Sequence, residues 1–243
     1  MTIRRMSAAD RLIVALDVPT RDKALSLVSA LRPRIAFFKV GLQLYTACGP
    51  QLVREILDGG GGVFLDLKFH DIPHTVARAA VEAARQGVGM FTIHLSGGPI
   101  MARRTVDEVE AHCQIHRLKR PRIIGVTVLT SFGQEDLERT GVQRPLDEQV
   151  LALADLAREV GLDGVVASPR EVRRVREANG RDLLIVTPGI RPAGSESDDH
   201  SRILTPREAI EAGADYIVVG RPIVKAADPL EAAESILLEM DGL

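Results

Sequence analysis

Residues 63–71 read VFLDLKFHD, and MFTIHL follows at 90–95. Val63, Phe64 and Leu65 are apolar at successive rather than alternate positions. A strand apolar on both faces is buried on both, as expected of a parallel sheet covered by helices. Between the two stretches lies Thr75–Gln86, with Ala, Val, Glu and Arg at amphipathic helical spacing and Gly87 as its stop. This strand–helix–strand unit recurs in both directions along the chain. LIVALD (12–17) and IAFFKV (35–40) precede it, and IIGVTVLT (123–130), GVVAS (164–168), LLIVTPG (183–189) and YIVVG (216–220) follow. Helical spacing also marks Arg21–Leu31, Pro50–Leu57, Asp147–Val160 and Pro206–Ala212, with Thr205 and Pro206 reading as an N-cap and a first-turn proline.

Alternating strands and helices imply a parallel sheet. Eight units in 243 residues fit a closed (β/α)8 TIM barrel of the α/β class better than an open doubly wound sheet. No GxGxxG follows the first strand, so the dinucleotide-binding version of the open sheet has little support. Residues 1–243 are read as a single barrel domain, with residues 1–10 a loose leader. The longest stretch without an element is 191–202, RPAGSESDDHSR, which has the composition of a loop and the length of a lid.

Composition removes other classes. Hydrophobic residues at 45% and charged residues at 26% describe a globular chain. Aromatics are 3% with no Trp, so the core is aliphatic and there is no stacking platform for single-stranded nucleic acid. Lys plus Arg is 31 against 33 Asp plus Glu, and a net charge of −2 gives no general attraction for DNA or an anionic membrane. The basic run Arg117, Lys119, Arg120 and Arg122 reads as a solvated turn. No apolar run approaches the roughly 18 residues of a membrane span, and Leu12–Leu16 is too short for the apolar region of a signal peptide. The cysteines, Cys48 and Cys113, make no metal-ligand spacing, and a zinc site at His112, Cys113 and His116 lacks further ligands. A reducing cytoplasm is the expected compartment.

The ends of the strands are polar, where barrels of this kind collect their chemistry. Strand one ends at Asp17 and strand two at Lys39. Strand three ends in Asp66-Leu67-Lys68 and turns into Asp71. Strand four reaches His94, strand five Thr130 and strand six Ser168. Strand seven runs into Arg191, and strand eight stops at Gly220-Arg221. Asp66 and Lys68 are two apart on one strand and face the same way. With Lys39 on the neighbouring strand, two lysines and two carboxylates fall within reach, an arrangement that is costly in a partly dry mouth unless each charge is paired. Gly220 and Arg221 lie after strand eight, where such barrels hold phosphate. The bland alternative is a salt-bridge network on the rim. His70 and His94 are read chiefly as packing or bracing residues.

DLKFHDIPHT (66–75), FKVG (38–41), VTVLTS (126–131), TPGIRP (187–192) and VVGRPI (218–223), in this order and spacing, resemble the orotidine 5′-phosphate decarboxylase family over essentially the whole chain. The resemblance implies a homodimeric (β/α)8 barrel converting orotidine 5′-monophosphate to uridine 5′-monophosphate and carbon dioxide. That is the last step of de novo pyrimidine nucleotide synthesis, and it uses no metal and no organic cofactor. It implies that Lys39, Asp66, Lys68 and Asp71 form an alternating charge network, with Asp71 reaching into the partner subunit's site. Lys68 would protonate C6, and Asp66 would lie beside the departing carboxylate. Asp17 and Lys39 would hold ribose hydroxyls, and Thr130 would contact the pyrimidine. Ile72 and Thr75 would join Asp71 in the partner's site. Gly220 and Arg221 would bind phosphate, assisted by Arg191.

Two positions depart from the common pattern: His74 stands in place of Asn, and His200 in place of the Gln of the closing loop. Two other functions compete with this one. One is a magnesium-dependent sugar-phosphate decarboxylase of the related barrel group; the other is a nucleotide-binding barrel without catalysis. The DIPHT and TPGIRP segments weigh against the first, and the intact set of four charges against the second.

Overall fold

The computed structural model describes residues 7–192 and 204–241. Eight strands form the sheet: β1 Leu12–Ala15, β2 Phe37–Gly41, β3 Gly62–Phe69, β4 Met90–His94, β5 Arg122–Val126, β6 Gly164–Val166, β7 Leu184–Pro188 and β8 Tyr216–Val219. The helices are α1 Ala8–Arg11, α2 Arg21–Leu31, α3 Leu42–Asp58, α4 Pro73–Arg85, α5 Gly98–His116, α6 Gln134–Arg139, α7 Leu146–Glu159, α8 Val172–Asn179, α9 Pro206–Ala212, α10 Arg221–Val224 and α11 Pro229–Asp241. The strands pair in chain order, all parallel, and β8 returns to β1, so the sheet is the closed barrel expected from the sequence.

Successive apolar residues in the strands divide between two cores. Ile13, Ala15, Phe64, Met90, Ile124, Val126, Val166, Val186 and Val218 pack inside the barrel. Leu12, Val14, Phe38, Leu65, Phe91 and Ile123 turn outward into the larger core beneath the helices. Each fully buried Leu, Ile or Phe contributes about 1.5–3 kcal/mol relative to exposure, and both faces of the sheet gain it. This is why the strands show no regular polar alternation.

The helix expected at Pro50–Leu57 does start at Pro50, for Gly49, at φ 66° and ψ −169°, is non-helical and divides the span α3 into two helical segments; the first, begun at Leu42, was not expected. Two boundaries differ from the sequence reading. The ladder of β5 stops at Val126 rather than Thr130, and the Thr127 hydroxyl donates instead to the Val166 carbonyl at 2.9 Å. Residues 8–10, expected within a loose leader, start α1. Ser7 Oγ accepts from the Asp10 N–H at 3.3 Å, and Arg11 Nε donates to the Asp215 carbonyl at 3.1 Å just ahead of β8. Thr205 caps α9 as expected, accepting from the Glu208 N–H at 3.2 Å. Among the described residues, no helix is long and apolar enough to cross a membrane.

Candidate active site

The C-terminal ends of the strands surround a cavity of about 300 Å³. Its apolar lining comes from the barrel interior, including Ala15, Phe64, Val126, Val166, Val186 and Val218. Its charged lining is Asp17, Lys39, Asp66, Lys68, Arg191 and Arg221, joined by Thr130 and Gly220.

The geometry centres on β3. Lys68 has φ 52°, the left-handed region that a side-chain-bearing residue seldom adopts. The pairing of β3 with β4 shifts register between Leu65 and Phe69, so Lys68 lies in an irregular stretch of the strand. Thr92 of β4, fully buried, holds this stretch. Its Oγ1 accepts the Lys68 backbone N–H at 2.9 Å and donates to Asp66 Oδ1 at 3.0 Å. Lys68 Nζ donates to the same Oδ1 at 2.9 Å.

Lys39 extends the pairing. Its Nζ lies 3.5 Å from Asp66 Oδ2 and 3.3 Å from Asp17 Oδ1. Gly41 leaves room for this ammonium, since a Cβ there would stand 3.0 Å from it. The order Asp17, Lys39, Asp66, Lys68 therefore alternates in sign. The Asp66 side chain is 12% exposed and that of Asp17 is 55% exposed, so the row is most buried at its middle, Lys39 and Asp66, and more open at both ends. Burial alone would raise the pKa of the Asp66 carboxyl. Lys39, Lys68 and the hydrogen bonds from Lys68 and Thr92 together outweigh burial and hold it below the ordinary carboxylate value.

His94 ends β4, with its ring 5.3 Å from that of His70. Burial, followed by the proximity of His70 and Lys68, lowers its pKa against the opposing pull of Asp66. Its Nδ1 is buried without a hydrogen-bond partner among the described residues.

The sequence-derived candidates thus fall into two groups. Asp17, Lys39, Asp66, Lys68, Thr130, Arg191, Gly220 and Arg221 line one cavity, although Thr130 does so from the loop after β5. Asp71, Ile72 and Thr75 do not line it. They are exposed at the turn into α4, where Asp71 Oδ1 accepts the Ile72 N–H at 2.6 Å and Ile72 is 65% exposed. His74, beside them, contacts Arg104 of α5 at 3.1 Å and lines a groove between α4 and α5. His200 and most of the expected lid lie outside the described residues. A backbone bond from the Arg191 N–H to the Leu204 carbonyl, at 3.1 Å, joins the two described ends of that stretch. Sequence reading missed Thr92, whose only signal was one hydroxyl in the apolar run MFTI.

The profile of the Orotidine 5′-phosphate decarboxylase / HUMPS family matches residues 10–236. The orotidine 5′-phosphate decarboxylase of Syntrophotalea carbinolica is 52% identical over 235 residues, 97% of this chain and 96% of that protein. The protein of the same name from Moorella thermoacetica is 50% identical, covering 98% of this chain and 94% of its own. The crystal structure of orotidine 5′-phosphate decarboxylase from Lactobacillus acidophilus superposes with a TM-score of 0.85 at 38% identity, covering 96% of this chain and all of that one. With a profile match across nearly its whole length and relatives at about half identity, the chain belongs to the orotidine 5′-phosphate decarboxylase / HUMPS family.

Proposed function

We propose that this chain decarboxylates orotidine 5′-monophosphate to uridine 5′-monophosphate and carbon dioxide, the last step of pyrimidine nucleotide synthesis, with Lys68 as proton donor. The observation that carries the reading is the alternating row Asp17, Lys39, Asp66, Lys68 at the mouth of the barrel. In the reaction the bond from C6 to the carboxylate breaks and its electron pair stays on C6. The Lys68 ammonium stabilises that charge and delivers a proton to C6, then regains one from water. Asp66 holds the ammonium in place before substrate arrives, so little reorganisation is needed at the reactive moment. Both Asp66 oxygens are already engaged by ammonium groups, which favours this chemistry over magnesium coordination by the same carboxylate.

Asp17 and Lys39 hold the ribose hydroxyls, and Thr130 meets the pyrimidine. Gly220 and Arg221 take the phosphate with help from Arg191, and His200 is assigned to the closing loop. The phosphate is remote from C6, so its binding energy can drive closure rather than only tighten the ground state. Asp71, Ile72 and Thr75 serve the partner subunit's cavity in a homodimer, consistent with their exposure away from their own. Free Cys48 and Cys113 accord with a reducing cytoplasm.

The test is the ultraviolet spectrum of orotidine 5′-monophosphate after protein is added, with and without a chelator. Conversion to the spectrum of uridine 5′-monophosphate, unaffected by chelator, is expected. Binding without conversion would indicate a nucleotide-binding barrel. No conversion, together with chelator-sensitive decarboxylation of a keto-sugar-acid phosphate, would indicate the magnesium-dependent group.

A further inference from the structure

We propose that the Thr92 hydroxyl is a positioning group that sets the Lys68 ammonium against Asp66; this rests on the reading of Lys68 as proton donor. A hydroxyl has one proton and two lone pairs. The Lys68 backbone N–H can only donate, so Thr92 Oγ1 is the acceptor in that bond, at 2.9 Å. Its single proton is then committed to Asp66 Oδ1 at 3.0 Å. Oδ1 also receives Lys68 Nζ at 2.9 Å. One fully buried side chain therefore fixes both the backbone of the lysine and the carboxylate that orients its ammonium.

The backbone half of this arrangement matters because of where Lys68 lies. At φ 52° it is off the regular strand path, within the register shift between β3 and β4. A conformation of this kind persists only where its surroundings over-determine it, and the bond to Thr92 is such a restraint. Valine at 92 would keep the shape of the side chain and remove both bonds. The Lys68 N–H and one Asp66 interaction would then lack their buried partner, and the irregular stretch could relax toward regular pairing. The ammonium would shift relative to the reacting carbon while the phosphate-binding end of the cavity, at β8, stayed in place.

The experiment compares the wild type with Thr92→Val, Thr92→Ala and Thr92→Ser. Turnover of orotidine 5′-monophosphate, affinity for uridine 5′-monophosphate by calorimetry, and thermal melting are measured for each. The valine and alanine variants should lose about 10- to 100-fold in kcat, the scale of a misplacement near 1 Å. Product affinity should stay within about threefold, since a lost transition-state contact acts on kcat and not on ground-state binding. Serine, which restores the hydroxyl, should recover most of the turnover. Alanine carries the test if the valine protein does not fold. Wild-type kcat in a folded variant lacking the hydroxyl would overturn the inference. So would parallel loss of kcat and product affinity, or a serine variant no better than alanine. No turnover by the wild type would overturn the reaction itself, and this inference with it.

Discussion

Lys68 and Asp66, two residues apart on β3, meet at 2.9 Å across a stretch of backbone that is not a regular strand. Simple alternation would put both side chains on one face, but the irregular stretch means that their contact depends on neighbouring β4 as well as on their spacing. The pair is accordingly a product of the barrel, in which an ammonium and the carboxylate it meets are brought together by the fold itself.

Lys68→Ala should abolish measurable turnover while leaving nucleotide binding detectable. Loss of a positioned acid lowers rate by about 10²–10⁴-fold, and by more where its charge also stabilises the carbanion. Spectrophotometric turnover and calorimetric binding of uridine 5′-monophosphate check the two halves separately. Near-normal turnover would remove Lys68 from the mechanism.

Arg221→Ala should weaken ligands that carry a phosphate and spare the bare nucleoside. Arg221 is exposed at the edge of the cavity, just after β8 and three strands round the ring from β3, and makes no ion pair among the described residues. Affinities for uridine and uridine 5′-monophosphate, measured on wild type and variant, give the comparison. Equal losses for both ligands would contradict the phosphate assignment.

Mixing Lys68→Ala with Asp71→Ala should restore activity that neither variant has alone. In a two-fold dimer with exchanged Asp71, a mixed dimer collects both lesions in one site and leaves the other intact. Random 1:1 reassortment makes half the dimers mixed, so about a quarter of all sites become wild type. Differently tagged chains and size-exclusion chromatography establish that mixed dimers form. If they form and activity stays at the level of the separate variants, Asp71 works in its own chain.

Folding stability should fall on mild acidification, partly through His94. Its folded pKa is lowered from the ordinary 6.5, chiefly by burial. Well above 6.5 the group is neutral in folded and unfolded chains alike and adds no pH dependence. As pH falls through 6.5, the unfolded chain takes the proton first, so stability declines until the folded imidazole also charges. Between about pH 7.5 and 5 the melting temperature of wild type should drop more steeply than that of His94→Gln. Parallel slopes would show that His94 titrates alike in both states.

The barrel was legible because its strands are buried on both faces, and successive apolar residues at Val63–Leu65 or Leu12–Leu16 leave few other readings. Element ends were less legible. Pro50 was legible as a helix start because proline suits a first turn, but the helical segment from Leu42 that precedes it, divided from it by the non-helical Gly49, was not. Thr130 looked like a strand end because VTVLT is uniformly β-favouring, yet the ladder stops at Val126. Eight of the site residues could be chosen from strand ends and motif order. Thr92 could not, since a threonine suits a β-strand on propensity alone and its role depends on the left-handed turn at Lys68. No residue type marks such a turn in a lysine as it would in a glycine.

The seam of the barrel has a consequence of its own. β1 pairs with β8, and a Cβ on Gly220 would meet Asp17 Oδ2 at 3.4 Å. Under the proposed assignment, a nucleotide whose ribose rests on Asp17 and whose phosphate rests on Gly220 would clasp the first strand to the last. No such clasp can form on a chain still being synthesised until β8 has been made and has docked. Once it forms, a ligand at a hundred times its Kd adds about 2.7 kcal/mol to the folded state. Under that assignment nucleotide binding is linked to the folding of the already closed ring, and protection of the β1 and β8 amides from hydrogen exchange should rise with nucleotide concentration.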